Sequence, residues 1–87
     1  MAYRVELTKQ AERSFSLLMR AQPAFGTRVA RAIDRIAEDP ELGTPLKGSL
    51  TGLLKYRVGP YRIIYEVHRG RLLIVVIDIG HRKEVYR

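Results

Sequence analysis

Leu53-Leu54-Lys55-Tyr56-Arg57-Val58-Gly59-Pro60-Tyr61-Arg62-Ile63-Ile64-Tyr65 is the stretch whose reading decides the fold. Taken as two strands joined at Gly59-Pro60, its alternation places Leu54, Tyr56 and Val58 on one face and Lys55 and Arg57 on the other. The second strand, carried on to His68, sets Tyr61, Ile63, Tyr65 and Val67 on one side, opposite Arg62, Ile64, Glu66 and His68. One face of this hairpin is apolar and aromatic and suited to burial. The other gathers cations where a phosphate can sit.

Working outward, His68-Arg69-Gly70-Arg71 reads as a turn with a glycine available for positive φ. The run Leu72 to Ile79, apolar except for Asp78, has the pattern of a central strand covered on both faces. Upstream, the two prolines and three glycines between Pro40 and Gly52 mark a loop that carries Lys47. Before it lie two amphipathic helices. The first is predicted from about Lys9 to Ala21, with Thr8 as N-cap and Ala11, Phe15 and Leu18 at helical spacing. The second starts at Pro23 and stops at Asp39-Pro40; Phe25, Val29, Ile33 and Ile36 form its stripe, and Arg28, Arg31 and Arg35 lie mostly off it. Tyr3-Arg4-Val5-Glu6-Leu7 alternates as a short opening strand. The order is strand, helix hairpin, then a three-stranded antiparallel meander: an α+β fold with the helices packed on one face of an antiparallel sheet.

Eighty-seven residues make a single domain, 1–87, near the size where one core becomes marginal. Without cysteine, neither a disulfide nor a thiolate metal site supplements that core, so packing carries it. Sixteen Lys and Arg against nine Asp and Glu give a formal charge of +7. A domain this basic commonly meets a polyanion, because each neutralised phosphate releases condensed counterions. There is no apolar signal segment at the N-terminus and no run approaching the roughly 18 residues of a membrane span. The expectation is a cytoplasmic protein with no membrane partner.

Most common catalytic constellations are missing. The chain has no glycine-rich phosphate loop, no obvious carboxylate pair, and two histidines without ligand-spaced partners, so no metal and no small-molecule cofactor is expected. Cations, tyrosines and a histidine remain, a set suited to phosphodiester chemistry. Cleaving RNA through its own 2′-hydroxyl requires a base for that hydroxyl, charge stabilisation at phosphorus and a proton for the departing 5′-oxygen. Lys55, Arg57, Arg62 and Arg82 are candidates for the second task, the guanidinium fork matching phosphate oxygens. Taken singly, each would more often be a solvated surface charge. For proton transfer there are two candidates. Tyr86 has a phenol, which ordinarily titrates near about 10 but is lowered by neighbouring cations; His81 has an imidazole, the usual acid or base near neutral pH. Spacing does not choose between them.

The pattern Lys55-x-Arg57, Tyr61-Arg62-x-x-Tyr65-x-Val67 and the closing Gly80-His81-Arg82-Lys83-Glu84-Val85-Tyr86 resembles the RelE toxins of bacterial and archaeal toxin–antitoxin pairs. The resemblance covers nearly the whole chain, including Tyr3-x-Val5 and Leu46-Lys47-Gly48, and the closing segment is its most specific part. It implies a ribosome-dependent endoribonuclease, an mRNA interferase, that enters the 30S A site and cuts messenger RNA without a metal. In such an enzyme Arg62 would hold the scissile phosphate and Arg82 would stabilise or protonate the leaving oxygen. Tyr86 would be general base and stacking platform, with Lys55 lowering its pKa. Arg57, Lys47 and Lys83 would add phosphate contacts. Leu53 stands where some members carry a second lysine, which weakens stabilisation of a Tyr86 phenolate and keeps His81 as a second candidate base. The resemblance also implies a cognate antitoxin whose C-terminal segment wraps the toxin. Two other functions fit the same fold: a ParE-like toxin that poisons DNA gyrase by protein contact, and a chain that binds RNA or the ribosome without cutting.

Overall fold

A computed structural model of the chain describes residues 2–81. Strand β1 (Arg4–Leu7) ends at Thr8, whose hydroxyl accepts the Ala11 N–H at 3.1 Å and so caps α1 (Lys9–Ala21). The same hydroxyl donates to the Ile77 carbonyl at 2.8 Å, tying the helix start to the sheet. A cap of this kind contributes about 1 kcal/mol. The single residue Gln22 joins α1 to α2 (Pro23–Glu38), and Pro23 occupies the first turn, where its missing N–H costs nothing. Asp39, constrained by Pro40, closes α2.

Ala11 and Leu18 of α1 and Val29, Ala32, Ile33 and Ile36 of α2 meet Val58, Ile63, Tyr65, Ile74, Val76 and Ile79 of the sheet in one core. Each fully buried Ile or Val there contributes about 1.5–3 kcal/mol of burial free energy. The sheet runs β1-β5-β4-β3-β2, with β2 at Thr44–Pro45, β3 at Leu53–Val58, β4 at Tyr61–His68 and β5 at Leu73–His81. The α+β arrangement and the β3-β4-β5 meander follow the expectation. Three details do not. Thr44–Pro45, inside the expected loop, is a fifth strand paired with Lys55 and Leu54; its proline hides it from a propensity reading and is tolerated at the sheet edge. Strand β1 pairs parallel with β5, from Arg4↔Leu73 to Leu7↔Val76, so the sheet is mixed; alternation reports which face a residue occupies, not its neighbour's direction. At the turn after β4, the positive φ falls on Leu72 (50°) and not on Gly70. A 3₁₀ turn spans Arg69–Arg71, and Leu72 is held by its carbonyl, which accepts the Arg4 N–H at 2.8 Å.

Tyr65 is the largest fully buried side chain and the bolt between sheet and loop. Its hydroxyl donates to the Pro40 carbonyl and accepts the Gly43 N–H, each at 2.8 Å. Gly43 permits this approach: a Cβ there would meet the tyrosine oxygen at 2.5 Å. Burial raises the Tyr65 pKa above its ordinary value of 10.0; the Gly43 N–H lowers it, and the Asp39 and Glu41 carboxylates add to the rise. The folded chain therefore holds the Tyr65 proton more tightly than the unfolded chain. This contribution is complete below about pH 10 and is lost as pH rises through the folded-state pKa. Tyr65→Phe strands a buried carbonyl and N–H and is predicted to cost about 2 kcal/mol in urea unfolding at pH 7. Alkaline melts should show a smaller fall in Tm above pH 10 for the variant than for the parent; an equal fall would contradict the assignment.

Candidate functional site

Gly59, at φ 57°, opens a two-residue connection that fixes Val58 opposite Tyr61. A Cβ there would press on the Phe25 ring at 2.8 Å, so both backbone and packing require glycine. The register then runs Arg57↔Arg62, Tyr56↔Ile63, Lys55↔Ile64 and Leu54↔Tyr65. Since Val58, Ile63 and Tyr65 are in the core, Lys55, Arg57 and Arg62 stand together on the face turned away from the helices. A slip of one residue would bury these charges, which makes the register strongly specified. Arg57 and Arg62 are direct cross-strand neighbours, with Cβ atoms roughly 5 Å apart, and like charges so placed repel. Burial on the reverse face outweighs that cost.

Across β4, Arg62 pairs with Gly80 and Ile64 with Asp78, while Tyr65 pairs with Val76. Ile77 is thus an extra residue, a bulge in β5. Strict alternation from the buried Val76 would turn Asp78 into the core and His81 onto the cation face. The bulge reverses both. Asp78 joins Lys55 and Ile64 in one row, and Ile79 returns to the core. His81 pairs with Tyr61, and their rings meet edge to face at 5.6 Å. Tyr61 in turn meets Phe25 at 5.4 Å and accepts a hydrogen bond from Gln22 Nε2 at 3.0 Å. The imidazole therefore lies on the helix side, in a hollow with Ser14, Leu17, Leu18 and Gln22, across the sheet from Arg62.

Of the residues singled out from sequence, Lys55, Arg57 and Arg62 are brought together and His81 is not. Lys47 sits in the loop at the Leu53 end of β3, four residues along the strand from Arg57 or about 13 Å. Arg82, Lys83 and Tyr86 lie outside the described residues. Two features escaped the sequence reading. Asp78 brings a carboxylate to the cation face, through a bulge that no alternation pattern reveals. Arg28, Arg31 and Arg35 of α2 share a groove with Arg57; their position off the apolar stripe was the available signal. Among the described residues, no three of His, Cys, Asp or Glu gather as a metal site, and no helix is long and apolar enough to cross a membrane.

Residues 5–86 match the family model for the ParE toxin of the type II toxin-antitoxin system, parDE. This chain belongs to the ParE toxin family. The same type II toxins, the RelE/ParE superfamily, supply its relatives. Toxin RelG of Mycobacterium tuberculosis is 29% identical over an alignment of 89 positions that spans 100% of this chain and 99% of RelG. The toxin–antitoxin complex RelBE2 from the same organism contains a chain superposing with a TM-score of 0.82 at 26% identity, over 94% of this ParE-family chain and 100% of that one. In the archaeal RelE–RelB complex of Pyrococcus horikoshii OT3 the values are 0.76 and 27%, over 98% and 100%. The likeness extends over the sheet that carries the three cations.

The opposed pair in this ParE-family sheet makes a measurable trade. Arg57→Gln is predicted to raise stability by about 0.2–1 kcal/mol at low salt, seen as a higher urea midpoint with an unchanged slope, and the gain should shrink as salt screens the pair. A lower midpoint would mean that Arg57 is held by a favourable contact.

Proposed function

We propose that this toxin is an endoribonuclease that cuts messenger RNA in the ribosomal A site, and the observation that carries the reading is the convergence of Lys55, Arg57 and Arg62 on the sheet face turned away from the helices. The 2′-oxygen attacks the adjacent phosphorus, forming the P–O2′ bond as the P–O5′ bond breaks. The products are a 2′,3′-cyclic phosphate and a 5′-hydroxyl. The 2′-hydroxyl proton goes to a base and a second proton reaches the departing 5′-oxygen, so the step consumes neither redox equivalents nor a cofactor. Arg62 holds the non-bridging oxygens, whose charge grows in the transition state, and Arg57 adds a second contact. Tyr86 is the base, with Lys55 favouring its phenolate and Arg82 serving the leaving oxygen. The position of His81 across the sheet from Arg62 favours Tyr86 over it in that role. Lys83 and Lys47 contact phosphates further along the strand.

The partners in this reading are the 30S A site and its message, in the cytoplasm, and a cognate antitoxin. The antitoxin is supported by the relatives solved as toxin–antitoxin complexes and by the formal +7 charge, which attracts an acidic wrapping segment. A second reading is favoured by the family description itself: a ParE-like toxin that binds DNA gyrase and cuts nothing.

Purified protein incubated with programmed ribosomes, with message ends mapped by primer extension, separates the two. The nuclease reading predicts discrete cuts, lowered at least about 100-fold by Arg62→Ala and by Tyr86→Phe. Uncut message together with a loss of gyrase supercoiling activity would establish the second reading.

A further inference from the structure

Beyond the sheet face lies a second cluster of cations. Arg28, Arg31 and Arg35 recur at three- and four-residue spacing along α2, so they share one helix face and extend over about 10 Å. They line a groove whose other wall is the end of β3, with Arg57, Val58 and Gly59. Strand β2 pairs only with Leu54 and Lys55, so this end of β3 is an unpaired edge. The groove holds four guanidiniums and one carboxylate, Asp34. Arg35 is partly engaged, donating to the Tyr56 hydroxyl at 2.9 Å, and Arg28 lies over the Phe25 ring at 5.0 Å. Arg31 and Arg57 make no ion pair with any described residue. Like charges at this spacing disfavour a helix, so the row is maintained at some cost to α2.

Arg57 belongs to both places: it opposes Arg62 on the face turned away from the helices and lines the groove on the helix side of the edge. Resting on the nuclease reading above, we infer that a single RNA strand whose scissile phosphate sits at Arg62 passes over Arg57 at the β3 edge, and that its flanking phosphates lie in the α2 groove against Arg31 and Arg28. The chemistry favours a phosphodiester backbone over an acidic peptide. Val58, the only apolar side chain in the lining, is 6% exposed, so the apolar surface of the groove belongs largely to arginine stems and not to the kind of pocket that takes a peptide's apolar anchors. A nucleic-acid backbone needs only the row of positive charge.

The test uses fully 2′-O-methylated, fluorescein-labelled RNA, which cannot be cleaved, in lengths of about 4 and about 12 nucleotides, with binding followed by anisotropy across a salt series. Each phosphate contact on a single strand adds about 0.7 to the slope of log affinity against log salt. Arg31→Ala, at an exposed position, is predicted to lower the 12-mer slope by about 0.7 and leave the 4-mer slope unchanged. Arg31→Lys should restore the slope. Arg62→Ala should weaken both lengths. Loss of slope on the 4-mer as well would contradict a single strand running through both places, and an unchanged 12-mer slope would remove RNA from the groove. Poly-glutamate binding that depends on Arg31 while RNA binding does not would overturn the proposal in favour of an acidic protein segment. Because the probe is never cut, these outcomes stand apart from the ribosome assay: RNA seated in the groove without message cleavage would sink the nuclease and keep the groove.

Discussion

Arg57 and Arg62 face each other because the residues beside them cannot move. Val58 and Ile63, on the reverse of the same two strands, are buried against α1 and α2, and Gly59 fixes the turn between the strands. The energies decide the outcome. Several buried aliphatic side chains at about 1.5–3 kcal/mol each stand against a like-charge pair that costs at most about 1 kcal/mol. The core thus sets the register, and the register forces cations into company that they would not choose. Under the proposed reading, a phosphate bound at this face would lie against both guanidiniums.

The bulge at Ile77 extends that logic to the third strand. By inserting one residue, it lets a strand that is almost wholly apolar keep Val76 and Ile79 in the core while Asp78 faces outward. Its freed carbonyl is taken by Thr8, the residue that also starts α1. One hydroxyl thereby couples helix nucleation, the parallel docking of β1 and the facing of the last described strand. The same inserted residue carries His81 to the helix side, where it packs on Tyr61.

Much of this was legible in the residues. Period-two alternation over Leu53–His68 gave the two faces of the hairpin, and Thr8, Pro23 and Asp39-Pro40 marked the helix ends at positions that the structure keeps. What escaped was set by tertiary context. Pairing direction does not alter alternation, so the parallel β1–β5 ladder left no trace. A proline in a two-residue edge strand looks like loop. Leu72 adopts positive φ because β1 grips its carbonyl, although Gly70 stood two residues away. The bulge mattered most, since an apolar run reads the same with or without it, and it alone decided on which face His81 would stand. The α2 arginines were visible as polar positions, but their company with Arg57 exists only after the hairpin packs on the helix.

In the proposed reading the phosphate lies on the face of β3 and β4 turned away from the helices, and not in the hollow beneath them. Titrating the isotopically labelled protein with a dinucleotide lacking the attacking 2′-hydroxyl tests it directly, by following the arginine Nε–H and histidine ring resonances. Saturable shifts are expected at Arg57 and Arg62, with His81 unmoved. Shifts confined to His81 and the α1 residues around it, with both arginines silent, would contradict it.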